Sequence, residues 1–300
     1  MVRVVLPIGS RLDGAFEAPV RAAFSRIARH MTDRMVGLAL GGGAAWGYAH
    51  LPLLRGLYHA GIPIDVIAGV SVGSMVGALY ASRGLAGLDA LSSSRIELTL
   101  RAAACLVSSR GAAAFMRRHL RHRWLEELPL PFFPIAVDIQ ASREQIFSRG
   151  SIADAVRASC SLPGVFGSTE YAGRRYVDGC VMNNVPVSAL VEEGADLIIA
   201  SSVIPAPRGA ERARPMRPLS RIADSLRALF LLYNATGLQQ AAAADVVFSP
   251  DLSEFSPVDF AKAPAIIERA ERDAELAVSE ALERYRVLCR SDRASRAPRA

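Results

Sequence analysis

Residues 63–81 of this 300-residue chain read PIDVIAGVSVGSMVGALYA, and the fold of the region around them depends on this stretch. The apolar run at residues 64–68 predicts a buried strand, and residues 74–81 predict an apolar helix. Between them lies the turn Gly69-Val70-Ser71-Val72-Gly73, which has the pattern G-x-S-x-G. A strand, this turn and a helix in succession are the context that a nucleophile elbow requires.

The two glycines of this turn have a steric explanation. A sharp strand-to-helix turn holds its central residue in a strained conformation, and side chains at Gly69 and Gly73 would collide with neighbouring backbone. Ser71 would then stand at the head of a helix, where free N–H groups favour developing negative charge. The alternative is a glycine–serine loop that merely caps the helix, but the strand–turn–helix context favours a nucleophile.

Length and composition favour one large folded domain. A chain of 300 residues with 51% hydrophobic content can bury a large core. Short apolar runs alternate with helical patterns, which predicts an α/β fold with a mostly parallel sheet covered by helices on both faces. We assign this domain to residues 35–290, after an amphipathic helical extension at residues 1–34. Residues 291–300 form a polar, basic tail for which we expect disorder.

The apolar pattern also predicts further elements of such a fold. Strands are predicted at residues 35–40, 129–139, 195–203 and 245–248, and a closing amphipathic helix at residues 263–287. Two other predicted helices have an apolar stripe, and the sequence does not decide which surface each stripe contacts. The stripe at residues 18–31 (Val20, Phe24, Ile27, Met31) either packs on the domain, which we favour, or contacts a membrane. The stripe at residues 219–233 fits core packing as well as it fits a role as a lid or a membrane contact.

A second glycine-rich turn, residues 41–47 (GGGAAWG), follows the first predicted strand. A dinucleotide site is excluded because the G-x-G-x-x-G fingerprint fails in either register, and no Gly-Lys-Ser/Thr follows as a P-loop requires. What remains is a row of small residues whose backbone N–H groups could bind an anion. Beside a serine nucleophile that anion is the tetrahedral oxyanion of acyl transfer, and the alternative is that these glycines serve packing alone.

The charge of the chain favours an anionic partner. The net charge is +6 and the pI about 9.5. No nucleic-acid-binding motif is legible, so we expect no nucleic-acid partner and favour an anionic phospholipid surface, contacted peripherally. One basic cluster is either a solvated helix face or a head-group contact; it consists of Arg117, Arg118, His119, Arg121, His122 and Arg123.

The cysteine pattern favours a cytoplasmic protein without a structural metal. Cys105, Cys160, Cys180 and Cys289 show no C-x-x-C spacing and no histidine at metal-ligand spacing. They are typical of reduced thiols, so we expect no metal site. No stretch approaches the ~20 continuous apolar residues of a membrane span, and the N-terminal apolar run is too short for a signal peptide.

The positions of the histidines constrain which base could serve Ser71. The five histidines are His30, His50, His59, His119 and His122, and none lies beyond residue 122. An α/β-hydrolase triad runs serine, acid, histidine in chain order, so with Asp178 as the acid no histidine remains. The simpler assignment is a Ser–Asp dyad in which a carboxylate takes the serine proton directly. A triad in another order stays open.

Four segments together resemble the patatin-like phospholipases in order and spacing. They are residues 37–50 (GLALGGGAAWGYAH), 69–73 (GVSVG), 158–166 (ASCSLPGVF) and 178–186 (DGCVMNNVP). The similarity extends over about residues 26–270. Within the family, the chain is similar to the catalytic domain of neuropathy target esterase and its bacterial relatives, a placement that residues 249–260 support.

The resemblance implies a single patatin-like α/β domain with serine lipid acyl hydrolase activity. It implies that Ser71 is the nucleophile and Asp178 the general base, and that the oxyanion hole lies at Gly41, Gly42, Gly43 and Ala44. The glycines that support these motifs are Gly47, Gly69, Gly73 and Gly179. Three positions depart from the family pattern: Ala44 replaces a usual glycine, Trp46 a usual arginine, and Cys180 a smaller residue.

The leading hypothesis is therefore hydrolysis of a phospholipid or lysophospholipid ester through an acyl-serine intermediate, with no cofactor. One alternative is a general carboxylesterase or neutral-lipid lipase that uses the same dyad. Another is a non-catalytic, membrane-binding scaffold whose site has decayed at Ala44 and Trp46. Covalent labelling of the serine separates the enzymes from the scaffold.

Overall fold

The computed structural model describes residues 14–92, 109–206 and 220–290 of the chain. Their helices are α1 (Gly14–Met31), α2 (His50–His59), α3 (Val72–Arg83), α4 (Leu85–Ser92), α5 (Ser109–His119), α6 (Ile152–Ser159), α7 (Val187–Glu192), α8 (Ser220–Ala241) and α9 (Ala263–Arg290). Their strands are β1 (Val36–Leu40), β2 (Val66–Val70), β3 (Phe132–Asp138), β4 (Arg143–Ile146), β5 (Thr169–Tyr171), β6 (Arg174–Asp178), β7 (Leu197–Ser201) and β8 (Val246–Phe248). The predicted tail at residues 291–300 lies outside the described residues.

The strands form one sheet in the order β5-β6-β3-β2-β1-β7-β8, with β4 paired to β3. Strands β3, β2, β1, β7 and β8 run parallel, and β4, β5 and β6 add antiparallel pairs at one side. Every residue of β1, β2, β3 and β7 is buried, as expected for parallel strands covered on both faces. The predicted single α/β domain with a mostly parallel sheet is confirmed.

Helices cover both faces of the sheet at its centre. Leu38 and Ile67 are registered partners in β1 and β2, and Ile67 lies beside Gly77 of α3. The neighbouring Gly37 packs against Leu190 of α7. Because successive residues of a strand face opposite sides, α3 and α7 cover opposite faces.

The N-terminal helix α1 forms, but two residues of its predicted apolar stripe do not face the domain. Phe24 and Met31 are 59% and 68% exposed. Instead, Arg29 Nη2 donates to Asp65 Oδ1 at 2.7 Å, and Asp65 Oδ2 accepts from the Val36 amide at 3.0 Å. Asp65 is fully buried, and a buried carboxylate needs a cation and hydrogen bonds. The expected packing of α1 on the domain therefore includes an ion pair with a buried carboxylate, and the prediction was wrong about Phe24 and Met31.

Residues 220–233 of the predicted helix at 219–233 form the first part of α8, and residue 219 lies outside the described residues. The described apolar side chains of α8 divide between core and surface. Tyr233 is buried and Phe230 half-buried, with ring centroids 6.1 Å apart. Leu231 and Leu232 are exposed. The side chains of Ile222 and Leu226 lie outside the described residues. Core packing is confirmed for the side of α8 that carries Tyr233.

Candidate active site

The nucleophile elbow forms as predicted. Ser71 is the residue between β2 and α3, with φ 53° and ψ −122°, a conformation that residues other than glycine rarely adopt. A Cβ at Gly69 would lie 2.7 Å from the Gly73 carbonyl oxygen, and one at Gly73 would collide with the Leu40 carbonyl. Within the described residues, the Ser71 side chain makes no capping bond to α3. The Ser71 side chain therefore does not cap the helix.

Three consecutive residues, Ser159, Cys160 and Ser161, hold the backbone of both Ser71 and Asp178. Ser159 Oγ accepts from the Ser71 amide at 2.9 Å and donates to a β3 carbonyl at 2.6 Å. The Cys160 thiol donates to the Ser71 carbonyl at 3.2 Å. The Asp178 amide donates to the Ser161 carbonyl at 3.0 Å. The family resemblance marked this segment but gave these residues no role.

Asp178 ends β6 and is fully buried. Its Oδ1 accepts from the Cys180 amide at 2.9 Å, whereas Oδ2 has no hydrogen-bond partner among the described residues. Burial raises the pKa of Asp178 to about 6, a rise that the Cys180 amide and the Ser71 hydroxyl partly offset. The Ser71 hydroxyl therefore belongs to the surroundings of the carboxylate, and catalytic contacts of this kind are often long in an unliganded site.

The glycine-rich turn after β1 lies directly against the elbow. A Cβ at Gly42 would lie 3.1 Å from Ser71 Cβ and would collide with Cys180 Sγ. One at Gly47 would collide with the side chain of Val72. A side chain at either glycine would therefore displace the elbow, and one at Gly42 would also displace the loop that follows Asp178.

The amides of the turn are not equivalent as anion donors. The Gly41 amide donates to a β7 carbonyl at 2.9 Å, and the Gly42 amide donates to Asn184 Oδ1 at 3.1 Å. In the part of the chain that the structure describes, the amides of Gly43 and Ala44 find no acceptor. Of the four predicted donors, these two are free to bind an oxyanion.

His50 supports the glycine-rich turn, a role that the sequence did not indicate. It is fully buried, with Nε2 2.9 Å from the Gly41 carbonyl oxygen and Nδ1 2.7 Å from Ser201 Oγ. Burial lowers the pKa of His50 to about 4, so the ring is neutral at pH 7. A carbonyl can only accept, so Nε2 carries the proton and Ser201 donates to Nδ1. With both nitrogens engaged, His50 is not available as the base for Ser71.

Trp46, which replaces the family's arginine, joins the turn to two other parts of the fold. Its Nε1 donates to the Phe255 carbonyl at 3.0 Å. Its ring meets the Phe230 ring edge-on, with centroids 5.4 Å apart. The contacts of Trp46 are therefore structural, and they fix α8 against the glycine-rich turn.

The family model of patatin-like phospholipases matches residues 38–191, which include the glycine-rich turn, the elbow and Asp178. The chain belongs to the patatin-like phospholipase family. This confirms the predicted family. Within the described residues of this patatin-like chain, no helix is long and apolar enough to cross a membrane, and no cluster of His, Cys, Asp and Glu side chains could hold a metal ion.

Two curated relatives illustrate this patatin-like family. Patatin-like phospholipase domain-containing protein 6 of Homo sapiens is 32% identical over 244 residues, which are 77% of this chain and 17% of that protein. Lysophospholipase NTE1 of Pyricularia oryzae is 34% identical over 200 residues, 62% of this chain and 13% of that protein. The chain thus spans less than a fifth of either relative. The crystal structure of VipD from Legionella pneumophila overlays with a TM-score of 0.48 at 13% identity, covering 84% of this chain and 67% of that one.

Proposed function

We propose that this patatin-like phospholipase hydrolyses ester bonds of phospholipids or lysophospholipids with Ser71 as nucleophile and Asp178 as base. The observation that carries this proposal is the pairing of an elbow serine with a fully buried carboxylate whose Oδ2 has no partner among the described residues. The names of the relatives, a phospholipase-domain protein and a lysophospholipase, support the class of substrate.

In the first half of the reaction, Ser71 Oγ attacks the ester carbonyl carbon while its proton passes to Asp178 Oδ2. The raised pKa of Asp178, about 6, makes it a stronger base than an ordinary aspartate while it stays ionised at pH 7. The free amides of Gly43 and Ala44 are assigned to the oxyanion that forms on the carbonyl oxygen.

The tetrahedral intermediate then collapses, and the carbon–oxygen bond to the alcohol breaks. The alcohol leaves with the proton held by Asp178, and the acyl group stays on Ser71. In the second half, water attacks the acyl carbon and gives a proton to Asp178. Collapse of this second intermediate releases the fatty acid and returns the proton to Ser71.

The deciding variant is Ser71→Ala, with the exposed Ser279→Ala on α9 as its matched control. Loss of the nucleophile is expected to lower kcat by about 10⁴-fold or more and to abolish labelling by a fluorophosphonate. Ser279→Ala should behave as the unchanged protein in both assays. A folded Ser71→Ala variant with near-normal turnover would overturn the assignment of the nucleophile.

The substrate class is tested by a panel of phospholipids, lysophospholipids, triacylglycerols and simple carboxylic esters. The proposal expects the highest kcat/KM on a phospholipid or lysophospholipid. A preference for neutral lipids or simple esters would replace it with a lipase or carboxylesterase on the same dyad. A protein that neither hydrolyses any ester nor reacts with the fluorophosphonate would be a scaffold.

A further inference from the structure

A buried phenol of α8 lies at the site and has no part in the reaction so far. Tyr233 is 1% exposed, and its hydroxyl has no hydrogen-bond partner among the described residues. Leaving a buried hydroxyl unpaired costs free energy, so such a group in a folded protein needs an explanation. A phenylalanine would fill the same space without this cost.

Contacts of α8 fix Tyr233 beside the glycine-rich turn. Asn184 Nδ2 donates to the Tyr233 carbonyl at 3.2 Å, while Asn184 Oδ1 accepts from the Gly42 amide. Phe230, which lies three residues before Tyr233 on α8, packs on Trp46 of the glycine-rich turn. The backbone of α8 is thus held against the glycine-rich turn, which contacts Ser71.

The proposed base is joined to the same glycine-rich turn. Gly42 lies against Ser71 and Cys180, and the Cys180 amide donates to Asp178 Oδ1 at 2.9 Å. Burial raises the pKa of the Tyr233 hydroxyl, so the group stays protonated at pH 7 and has a proton to donate. Asp178 Oδ2 likewise lacks a partner among the described residues. The surroundings of the glycine-rich turn therefore contain an unpaired donor and an unpaired acceptor that are not bonded to each other.

We propose that the Tyr233 hydroxyl donates a hydrogen bond to the alkoxy oxygen of the scissile ester as the alcohol leaves. This inference rests on the proposed function. The alkoxy oxygen must approach Asp178 Oδ2 to collect the proton that came from Ser71. A substrate oxygen held there satisfies both unpaired protein atoms. Tyr233 keeps its own proton throughout, and the transferred proton comes from Asp178.

The hydrogen bond gains strength as the carbon–oxygen bond breaks, because negative charge then develops on the alkoxy oxygen. It therefore acts more on the transition state than on the bound substrate. How much this hydrogen bond accelerates the reaction depends on the alcohol that leaves. An alkyl alcohol such as a glycerol hydroxyl leaves poorly and needs the donor, whereas p-nitrophenolate leaves readily without it. Tyr233 thus suits the site to glycerol-type esters.

The test compares Tyr233→Phe with the unchanged protein on two butyrate esters, one of p-nitrophenol and one of a simple alkyl alcohol. For the alkyl ester, kcat/KM is expected to fall about 10- to 100-fold, the effect of one hydrogen bond to a charged group. For the p-nitrophenyl ester it should stay within about threefold. The exposed Tyr58→Phe on α2 is the matched control and should change neither value.

Thermal unfolding of Tyr233→Phe supplies a second readout. The Tm should be unchanged or higher, because the variant removes an unpaired buried hydroxyl. A markedly lower Tm would assign the phenol a structural role and overturn the proposal. An equal loss on both esters, or no loss on either, would also overturn it. If Ser71→Ala retained turnover in these assays, the proposed function itself would fail, whatever the result for Tyr233.

Discussion

The pKa of one ionisable residue, Asp178, which we propose as the base, affects the stability of this protein. Its pKa in the folded state, about 6, lies above the ordinary value of 3.8 because the carboxyl is buried. Below pH 3.8 the group is protonated in both folded and unfolded chains. As the pH rises through about 6, the folded state must ionise a buried group that the unfolded state ionises more easily, so stability is lost. At neutral pH this loss is about 3 kcal/mol.

We therefore predict that Asp178→Asn is inactive but more stable than the unchanged protein at pH 7.5. The amide can still accept from the Cys180 amide, and it avoids the buried charge. Urea unfolding of both proteins at pH 7.5 and at pH 5 measures the difference in free energy of unfolding.

The difference should be on the order of 2–3 kcal/mol at pH 7.5 and smaller at pH 5, where most Asp178 is protonated. An asparagine variant that is less stable than the unchanged protein at pH 7.5 would contradict this reading of the site. So would a variant that retains ester hydrolysis.

At the scale of elements, the position of the elbow depends on α6 and the loop after it. Ser159, the last residue of α6, bridges the Ser71 amide and a carbonyl of β3. Ser161 holds Asp178 through its backbone carbonyl, while its hydroxyl bonds the Arg157 carbonyl and Thr169. Replacing Ser159 by alanine removes a contact to Ser71, whereas replacing Ser161 removes contacts only to the surrounding fold. The two variants therefore distinguish an effect on Ser71 from a general loss of stability.

Ser159→Ala is predicted to lower kcat more than Ser161→Ala at a similar loss of stability. Each variant removes one buried and one partly buried hydrogen bond and should cost about 1–3 kcal/mol. Only Ser159→Ala frees the Ser71 backbone, so its kcat should fall about 10- to 100-fold with little change in KM. Steady-state kinetics and urea unfolding of the two variants check this. Equal kcat values would show that the Ser159 hydroxyl does not position the elbow.

Elements with a strong local pattern could be predicted from the sequence. The elbow and the buried strands of the parallel sheet follow from continuous apolar runs and from the glycine spacing. Among the elements that were not predicted are two short ones. Strand β5 has three residues, and α7 has six and follows Pro186, so neither contains a full period of apolar spacing.

Contacts between distant residues could not be predicted. Which face of α1 is turned toward the domain depends on Asp65, 36 positions from Arg29. The apolar stripe of a helix contains no information about such a distant charged partner. The roles of Ser159, His50 and Asn184 rest on backbone amides and carbonyls, which every residue has. Their only signal was membership of the segments that resemble the family.

For the whole molecule, the basic cluster and Ser71, the proposed nucleophile, lie at opposite ends of one helix. Ser71 immediately precedes α3, and Ser82, near its other end, accepts from the Arg121 amide at 3.2 Å. Helix α3 has twelve residues, which corresponds to about 18 Å. Arg118, Arg121 and Arg123 are exposed, while Arg117 pairs with Asp154 at 3.0 Å.

Peripheral binding to anionic vesicles is therefore predicted to be separable from ester hydrolysis. Each arginine near an anionic surface contributes about 1 kcal/mol, which salt screens. Replacing Arg118, Arg121 and Arg123 together by glutamine should weaken co-sedimentation with anionic vesicles at low salt. Hydrolysis of a soluble short-chain ester should stay unchanged, because the site is a helix length away.

The control for this experiment replaces three exposed arginines of α9 by glutamine, which lowers the net charge by the same amount. These are Arg272, Arg286 and Arg290. It should sediment as the unchanged protein does. Equal binding to neutral and anionic vesicles, or equal weakening by both triple variants, would remove the cluster from consideration as an anchor.

The length of α3 has a consequence for the lipid that such an anchored molecule could reach. A protein resting on a bilayer through the arginines at one end of α3 would hold Ser71 about a helix length away from that bilayer. Substrate would then arrive from water, as monomers or micelles, and not from the supporting leaflet. Lipids with one acyl chain leave membranes readily, whereas two chains hold a molecule firmly. Orientation alone would then select lysophospholipids over two-chain phospholipids, before any contact with the catalytic residues.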